Sequence, residues 1–294
     1  MNNARLAAVA LKGLLPFPAT LRALKRRLVP YVDDPINSAC CLDNGLQQIA
    51  ALRAAGVGLT GDVLEFGTGW LPLIPLLFHL AGARSLTLTD IERLMDAATI
   101  ARAKRLVAQR IAEVAAVLEQ PEAALLARLD APFAPRYLVP WDASRQKAHS
   151  ADLILSRAVF EHVPQAALRH VLAAFHRVLR TGGAMCHLVD NSDHWEHHDK
   201  TLSRIDFLRY DDRDLRWRIA NSNVQSYQNR MRHSDYAALF AAAGFTVLHS
   251  EGVPDPTCLR DLNTLPLAAR FRGHDRADLT ILTSLFVVRP RPAA

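Results

Sequence analysis

The sequence predicts an α/β fold built on a doubly wound, mostly parallel sheet. From Asp62 onward, short apolar runs alternate with helical segments, as in strands joined by crossover helices. A glycine turn, Gly67-Thr68-Gly69, joins the first predicted strand to the first helix, and Asp90 closes the second strand. The 294 residues are half hydrophobic, which is enough to bury a sizeable core.

Residues 1–60 precede this pattern and read as helices separated by prolines. Apolar positions recur through Ala4–Leu15, and Leu21–Leu28 follows two prolines and carries a basic face. Ser38–Ala55 is helix-like and ends near glycines. We therefore predict an N-terminal helical cap over 1–60, followed by an α/β domain over 61–294.

The elements of the α/β domain follow in order. The predicted strands are Val63–Phe66, Ser85–Thr89, Tyr137–Val139, Asp152–Ser156 and Ala184–Val189. The predicted helices are Leu73–Ala81, Ala166–Leu179, which stops at Thr181-Gly182-Gly183, and Ser234–Ala243. Phe245–Ser250 and the β-rich run Leu279–Val288 close the chain. The segment 93–130 is rich in helix formers and longer than one crossover needs, so we expect a helical insertion that covers the pocket.

Charge and cysteine content narrow the class of protein. The net charge of +6 is dispersed, and the densest basic stretch is Lys25-Arg26-Arg27. This stretch is either a solvated helix face or a peripheral contact with anionic lipid or another acidic partner. The four cysteines lack metal or disulfide spacing, and no uncharged apolar window reaches about 18 residues, so we expect a cytoplasmic protein without a membrane span.

The glycine turn and Asp90 predict an adenosine-type ligand. Glycines let the backbone approach a ligand closely, and a carboxylate about 20 residues later can accept both ribose hydroxyls. These features alone fit either NAD or S-adenosylmethionine. The GxGxxG pattern of dinucleotide sites fails at Pro72, and Trp70 occupies the space a pyrophosphate would need.

Three ordered motifs resemble the class I, Rossmann-like S-adenosylmethionine-dependent methyltransferases. They are Val63-Leu64-Glu65-Phe66-Gly67-Thr68-Gly69-Trp70, Asp90-Ile91 and Ser156-Arg157-Ala158-Val159-Phe160-Glu161-His162. The resemblance covers about residues 60–190. It implies a seven-stranded sheet with an antiparallel C-terminal strand and S-adenosylmethionine as cofactor.

The resemblance also implies individual roles at the cofactor. The implied cofactor-binding residues are Glu65, Gly67, Thr68, Gly69, Trp70, Asp90, Ile91, Asp142, Ser156, Arg157 and Ala158. Among them Glu65 lies near the amino-acid end, Asp90 holds the ribose and Ile91 packs on adenine. Asp142 either accepts from the adenine amino group or caps a turn. Trp70 stands where many members carry glycine.

A histidine-rich segment follows the fifth strand, at the edge where ligands bind in such folds. We predict His194 as general base, oriented by Asp190 or Asp193, because imidazole titrates near neutral pH. We expect no metal. Two alternatives stay open: a divalent metal held by His194, His197 and His198, or a solvated polar loop.

The acceptor pocket is predicted over 190–233. The substrate-binding candidates are Glu161, His162, Tyr227, Asn229, Arg230 and Arg232, the two arginines as clamps for a carboxylate or phosphate. The predicted reaction is methyl transfer to a hydroxyl or amine of a small molecule, glycan precursor or secondary metabolite. The alternatives are a nicotinamide-dependent oxidoreductase and a catalytically inactive binding module. No basic stripe interleaved with aromatics appears, which disfavours nucleic acid as substrate.

Overall fold

The computed structural model describes residues 3–14, 34–222 and 227–292. Its seven-stranded sheet has the order β3-β2-β1-β4-β5-β7-β6. The strands are β1 Asp62–Phe66, β2 Ser85–Thr89, β3 Arg136–Leu138, β4 Ala151–Arg157, β5 Leu179–Asp190, β6 Phe245–Glu251 and β7 Thr283–Pro290. Strand β7 runs antiparallel to both neighbours and the other six strands are parallel, which confirms the predicted doubly wound fold.

Helices cover both faces of the sheet. They are α1 Asn3–Leu14, α2 Pro35–Ala54, α3 Leu73–Ala81, α4 Ala97–Gln109, α5 Ile111–Leu118, α6 Glu122–Asp130, α7 Gln165–Val178, α8 Leu215–Ala220, α9 His233–Ala242, α10 Pro256–Asp261 and α11 Arg276–Leu279. Helix α3 has the bounds that the sequence predicts. The segment 93–130 forms the three helices α4 to α6.

Strand side chains alternate between two cores, as a pleated sheet requires. On β4, Leu153 and Leu155 face the core that contains α2 and α3. Ile154 faces the opposite core, with Phe175 of α7 and Phe240 of α9. The sheet is therefore buried on both faces, and only its edges and strand ends are left for ligands.

The first two helices pack in different places. Asp34 caps α2 through hydrogen bonds from the main-chain N–H groups of Ile36 and Asn37, and Pro35 begins the helix. Buried residues of α2 join the core on the α3 side. On α1, Leu6 packs against Trp195 and α8. The predicted helix Leu21–Leu28 lies outside the described residues, and the division at residue 60 stays a prediction.

Two predicted boundaries are wrong. Strand β5 already begins at Leu179, which pairs with Ala151 next to a shift in register. The positive φ of Gly182 (80°) accommodates that irregularity, so the glycines lie inside the strand. Leu279, predicted to begin the last β-rich run, is instead the last residue of helix α11, and β7 begins at Thr283. Asp278 in this helix accepts hydrogen bonds from Ser234 and ties α11 to α9. Within the described ranges, no helix is long and apolar enough to cross a membrane.

Candidate active site

The glycine turn lies at the carboxyl end of β1, where the strand order reverses between β2 and β4. Gly67 and Gly69 have φ values of 80° and 70°, which glycine adopts without strain. The N–H groups of Gly67 and Thr68 both donate to the Thr89 carbonyl at 3.0 Å, which fixes the turn on β2. A Cβ on Gly69 would meet no atom within 4 Å. The turn therefore presents an open backbone face to a ligand.

Asp90 lies beside this open face at the end of β2. Its Oδ2 accepts from the Gly69 N–H at 2.9 Å and its Oδ1 from the Ile91 N–H at 2.7 Å. Oδ1 also accepts from the Glu92 N–H at 3.4 Å, so Oδ2 is the carboxylate oxygen that keeps a further lone pair. The neighbouring Ile91 is 64% exposed, unusual for isoleucine, and offers an apolar surface next to the carboxylate.

Glu65 points into the same site from β1. Its side chain is 4% exposed, and burial raises its pKa to about 7. Among the described residues, neither Glu65 Oε2 nor the buried Thr68 Oγ1 has a hydrogen-bond partner. Such unsatisfied buried groups are costly without a ligand. They fit a polar, cationic group such as the methionine end of S-adenosylmethionine.

Two of the predicted floor residues make mainly internal contacts. Ser156 is buried; its hydroxyl pairs with His187 Nδ1 at 2.8 Å and its carbonyl accepts from Gln48 at 3.0 Å. Arg157 Nε donates to Asn44 Oδ1 at 3.0 Å. Sequence reasoning missed Gln48 and Asn44, both on α2. No motif marks them, because their contacts span more than 100 residues of sequence.

The remaining predicted cofactor residues differ in how well they fit. Ala158 has a φ of 52°, a strained conformation of the kind found at functional sites. Asp142 accepts from the Ser144 N–H and hydroxyl and pairs with Arg145 at 3.1 Å, so it caps a turn, the alternative left open above. Trp70 is half-buried and its role stays a prediction.

Of the two carboxylates predicted to orient His194, Asp190 is the one beside it. Asp190 Oδ2 lies 3.4 Å from His194 Nε2. Burial acts to raise the pKa of Asp190, but the His194 imidazole outweighs it, and the pKa lies below the ordinary value. Asp193 is fully buried, accepts from the Trp195 N–H at 2.9 Å and has a pKa raised to about 7 by burial. Among the described residues Asp193 forms no ion pair with His194, and its catalytic role stays a prediction.

Glu161 and His162 follow β4 and face His194. His162 Nδ1 contacts the Tyr227 carbonyl at 2.8 Å, and the His162 and His194 ring centroids lie 5.0 Å apart. The side-chain amide of Asn229 donates to the carbonyl oxygens of Phe160 and Val163, which flank Glu161 and His162, at 2.7 and 3.0 Å. Asn229 thus holds the Glu161-His162 turn in place and leaves no free amide proton for a substrate.

Arg230 and Arg232, predicted as clamps for an acceptor, both make contacts inside the protein, and their role at an acceptor stays a prediction. Both are buried, and burial lowers the pKa of each to about 10. Arg230 pairs with Asp212 and donates to two carbonyls of the segment 206–210. Arg232 donates to the Asn191 carbonyl at 2.7 Å. Both guanidinium groups satisfy main-chain oxygens in the segment around the pocket.

Comparisons with known proteins identify relatives. The family model for the methyltransferase domain matches residues 18–250. A search of curated proteins found no match. Magnesium protoporphyrin IX methyltransferase of Synechocystis PCC 6803, solved with bound S-adenosylhomocysteine, aligns over 93% of this chain and 94% of its own, with a TM-score of 0.50 and 11% identity. An S-adenosylmethionine-dependent methyltransferase of Mesorhizobium loti aligns over 83% and 99%, with a TM-score of 0.47 and 15% identity.

Proposed function

We propose that this chain, which belongs to the methyltransferase-domain family, methylates a hydroxyl or amine of a small-molecule or sugar-like acceptor. Its cofactor is S-adenosylmethionine. The observation that supports this best is the placement of Glu65 and Asp90. The two carboxyls lie on adjacent parallel strands, on either side of the open Gly67–Gly69 turn, at the point where strand order reverses.

The proposed cofactor contacts follow from the geometry of this edge. Asp90 accepts the ribose hydroxyls, with the free lone pair of Oδ2 and in place of the long 3.4 Å contact from the Glu92 N–H to Oδ1. Glu65 receives the ammonium group of the methionine moiety. Ile91 covers the adenine ring. Ser156 and Arg157 end the adjacent strand β4, and Ala158 follows it. Because the Ser156 hydroxyl pairs with His187, these residues form the floor through their backbone and the Arg157 stem.

The bound cofactor supplies a methyl group already activated on a sulfonium, so the protein has to orient the acceptor and remove its proton. We assign that proton transfer to His194. Asp190 Oδ2 lies 3.4 Å from Nε2 and favours the neutral tautomer that carries its proton on that nitrogen, which leaves the lone pair of Nδ1 as the base. The Gln228 side chain accepts from the His194 N–H at 3.1 Å and fixes the backbone of the base.

The acceptor lies, in this proposal, between the helical insertion and the segment 190–233. The Glu161-His162 turn borders it from the end of β4, and Tyr227, whose carbonyl contacts His162, borders it from the segment 190–233. We keep the N-terminal cap and the α/β domain as the proposed organisation. A cytoplasmic location is also proposed, and the absence of a disulfide among the cysteines of the described residues is consistent with it.

Production of S-adenosylhomocysteine over a panel of hydroxyl and amine acceptors tests the proposal. Once an acceptor is found, His194→Gln and Asp190→Asn are each expected to lower kcat by about 10²- to 10⁴-fold at unchanged cofactor affinity. His197→Gln, in the same segment, serves as the matched control. Full activity in His194→Gln would refute the assignment of the base, and no turnover with any acceptor would refute the proposed acceptor class.

A further inference from the structure

Three potential metal ligands converge between the ends of β4 and β5. Glu161 and His162 lie four and five residues after β4, and His194 lies four residues after β5. One carboxylate oxygen and one nitrogen from each imidazole all lie within 4.8 Å of one another. The three side chains come from two loops of the same sheet edge, so adjacent parallel strands create the cluster.

Glu161 is the clearest sign that the cluster binds something. Its side chain is 3% exposed, and the main-chain N–H groups of Glu161 and Asp190 lie near enough to lower its pKa, yet neither carboxylate oxygen is in a well-aligned hydrogen bond with a described residue. Burial and the nearby Asp190 raise its pKa well above the ordinary value. A buried carboxyl with no partner costs stability, and a cation between its oxygens and the histidines would satisfy it.

His162 has the hydrogen bonding typical of a metal ligand. Its Nδ1–H donates to the Tyr227 carbonyl at 2.8 Å, which leaves the lone pair on Nε2. That Nε2 lies 4.0 Å from Glu161 Oε1, too far for a hydrogen bond between them. A main-chain carbonyl that fixes the ring in this way is a common outer contact of zinc-binding histidines.

His194 supplies the third donor. Its Nε2 is buried and lies 3.4 Å from Asp190 Oδ2 without the alignment of a hydrogen bond. Asp190 therefore stands next to the cluster as a further carboxylate. His197 stacks on the other side, with its ring centroid 5.2 Å from that of His194, and is not a member of the compact group.

We infer that Glu161, His162 and His194 form a binding site for a divalent first-row transition metal such as Zn²⁺ or Mn²⁺. Two imidazoles and one carboxylate suit these ions, whereas Mg²⁺ and Ca²⁺ prefer oxygen ligands alone. Three protein ligands leave positions open for water or a ligand oxygen. This differs from the sequence-based expectation of no metal, and also from the alternative set of His194, His197 and His198.

Metal binding changes the role of His194. A metal-bound imidazole has its lone pair on the metal and its proton on the other nitrogen, so His194 acts as the base proposed above only in the metal-free chain. A metal held by these three residues would lower the pKa of a hydroxyl bound to it. The site itself does not depend on the proposed methyl transfer, so it can be tested without an acceptor.

Equilibrium dialysis of the metal-stripped full chain against Zn²⁺ or Mn²⁺, followed by elemental analysis, tests the site. We expect one ion per chain, and an affinity at least about 10-fold lower in Glu161→Gln, His162→Gln and His194→Gln. The matched control His197→Gln should bind as the parent protein does. Every variant is first checked for unchanged binding of S-adenosylhomocysteine, which reports a folded site independently of the metal.

A second measurement covers variants that fail to fold. Proton NMR of the parent protein loaded with Co²⁺ should show two paramagnetically shifted imidazole N–H signals, one of them from His162. Absence of shifted imidazole signals overturns the proposal. So does an affinity that is unchanged in all three ligand variants, or one that falls equally in His197→Gln.

Discussion

Replacement of Glu65 by glutamine should weaken cofactor binding and remove most of its pH dependence. The same replacement should stabilise the ligand-free protein near neutral pH. Glu65 is buried at the end of β1, and its pKa is raised to about 7 from a model-compound value of 4.5. Only the ionised form attracts the ammonium group of the cofactor. Binding by the parent protein should therefore weaken as the pH falls through 7.

The magnitude follows from the ionised fraction. With a pKa of about 7, roughly 0.76 of Glu65 is ionised at about pH 7.5 and roughly 0.03 at about pH 5.5, a ratio of about 25. The Kd for S-adenosylhomocysteine should rise by about that factor on acidification. In Glu65→Gln, the Kd should be high and nearly flat over the same range.

Stability gives an independent measurement of the same pKa. Because burial raises the pKa of this acid, the unfolded chain ionises first, and the free energy of unfolding falls as the pH rises from about 4.5 to 7. The total loss is about 3 kcal/mol. Glu65→Gln removes this loss, so the ligand-free variant should be more stable than the parent protein near neutral pH.

Calorimetric titration and urea unfolding at several pH values make the comparison, with the exposed Glu122→Gln as the matched control. The control should follow the parent protein in both assays. If the affinity of the parent protein does not change between about pH 7.5 and 5.5, or if Glu65→Gln shows the same slope, the assignment of Glu65 to the ammonium group is refuted.

Three further predictions concern the scaffold around the site. Arg232→Ala should lower the free energy of unfolding by about 3–5 kcal/mol, because it leaves a cavity and unpaired buried carbonyls. The control Arg218→Ala, at an exposed position, should lower it by less than about 0.5 kcal/mol. Urea unfolding measures both variants, and equal effects would contradict the structural role of Arg232. Burial lowers the pKa of His187 to about 3, so stability should fall by about 1.4 kcal/mol per pH unit below pH 6.5. A slope that His187→Phe does not reduce would contradict the assignment. Gly67→Ala should destabilise the chain more than Gly69→Ala, because a Cβ at Gly67 would lie 2.5 Å from a valine methyl group while Gly69 faces open space. Thermal unfolding measures both variants, and the reverse order would contradict the packing described.

The parts of the site that sequence predicts are those encoded locally. The Glu65–Gly69 turn and Asp90 lie within two consecutive strands, and the alternation of apolar runs fixes where those strands end. Their types and spacing therefore suffice to place them together. The same holds for the Glu161-His162 turn after β4.

Other parts depend on contacts between distant segments. Arg232 resembles a ligand clamp by its residue type, but the packing of the Asn191 carbonyl against it determines its role. Asp190 and Asp193 differ only in which one reaches His194, and a loop conformation decides that. Gln48 enters the site from α2, more than 100 residues before the strand that it contacts. No periodicity or spacing encodes such contacts.

Calorimetric titration with S-adenosylmethionine, S-adenosylhomocysteine and NADH, repeated on Asp90→Ala, tests the central claim most directly. Asp90→Ala removes hydrogen bonds from the ribose to a charged group, so the affinity for the two adenosyl-sulfur compounds should fall by about 10- to 100-fold, equivalent to about 1.5–3 kcal/mol. The parent protein should bind NADH more weakly than either compound. Failure of the parent protein to bind the adenosyl-sulfur compounds, or a preference for NADH, would contradict the assignment of this sheet edge to S-adenosylmethionine.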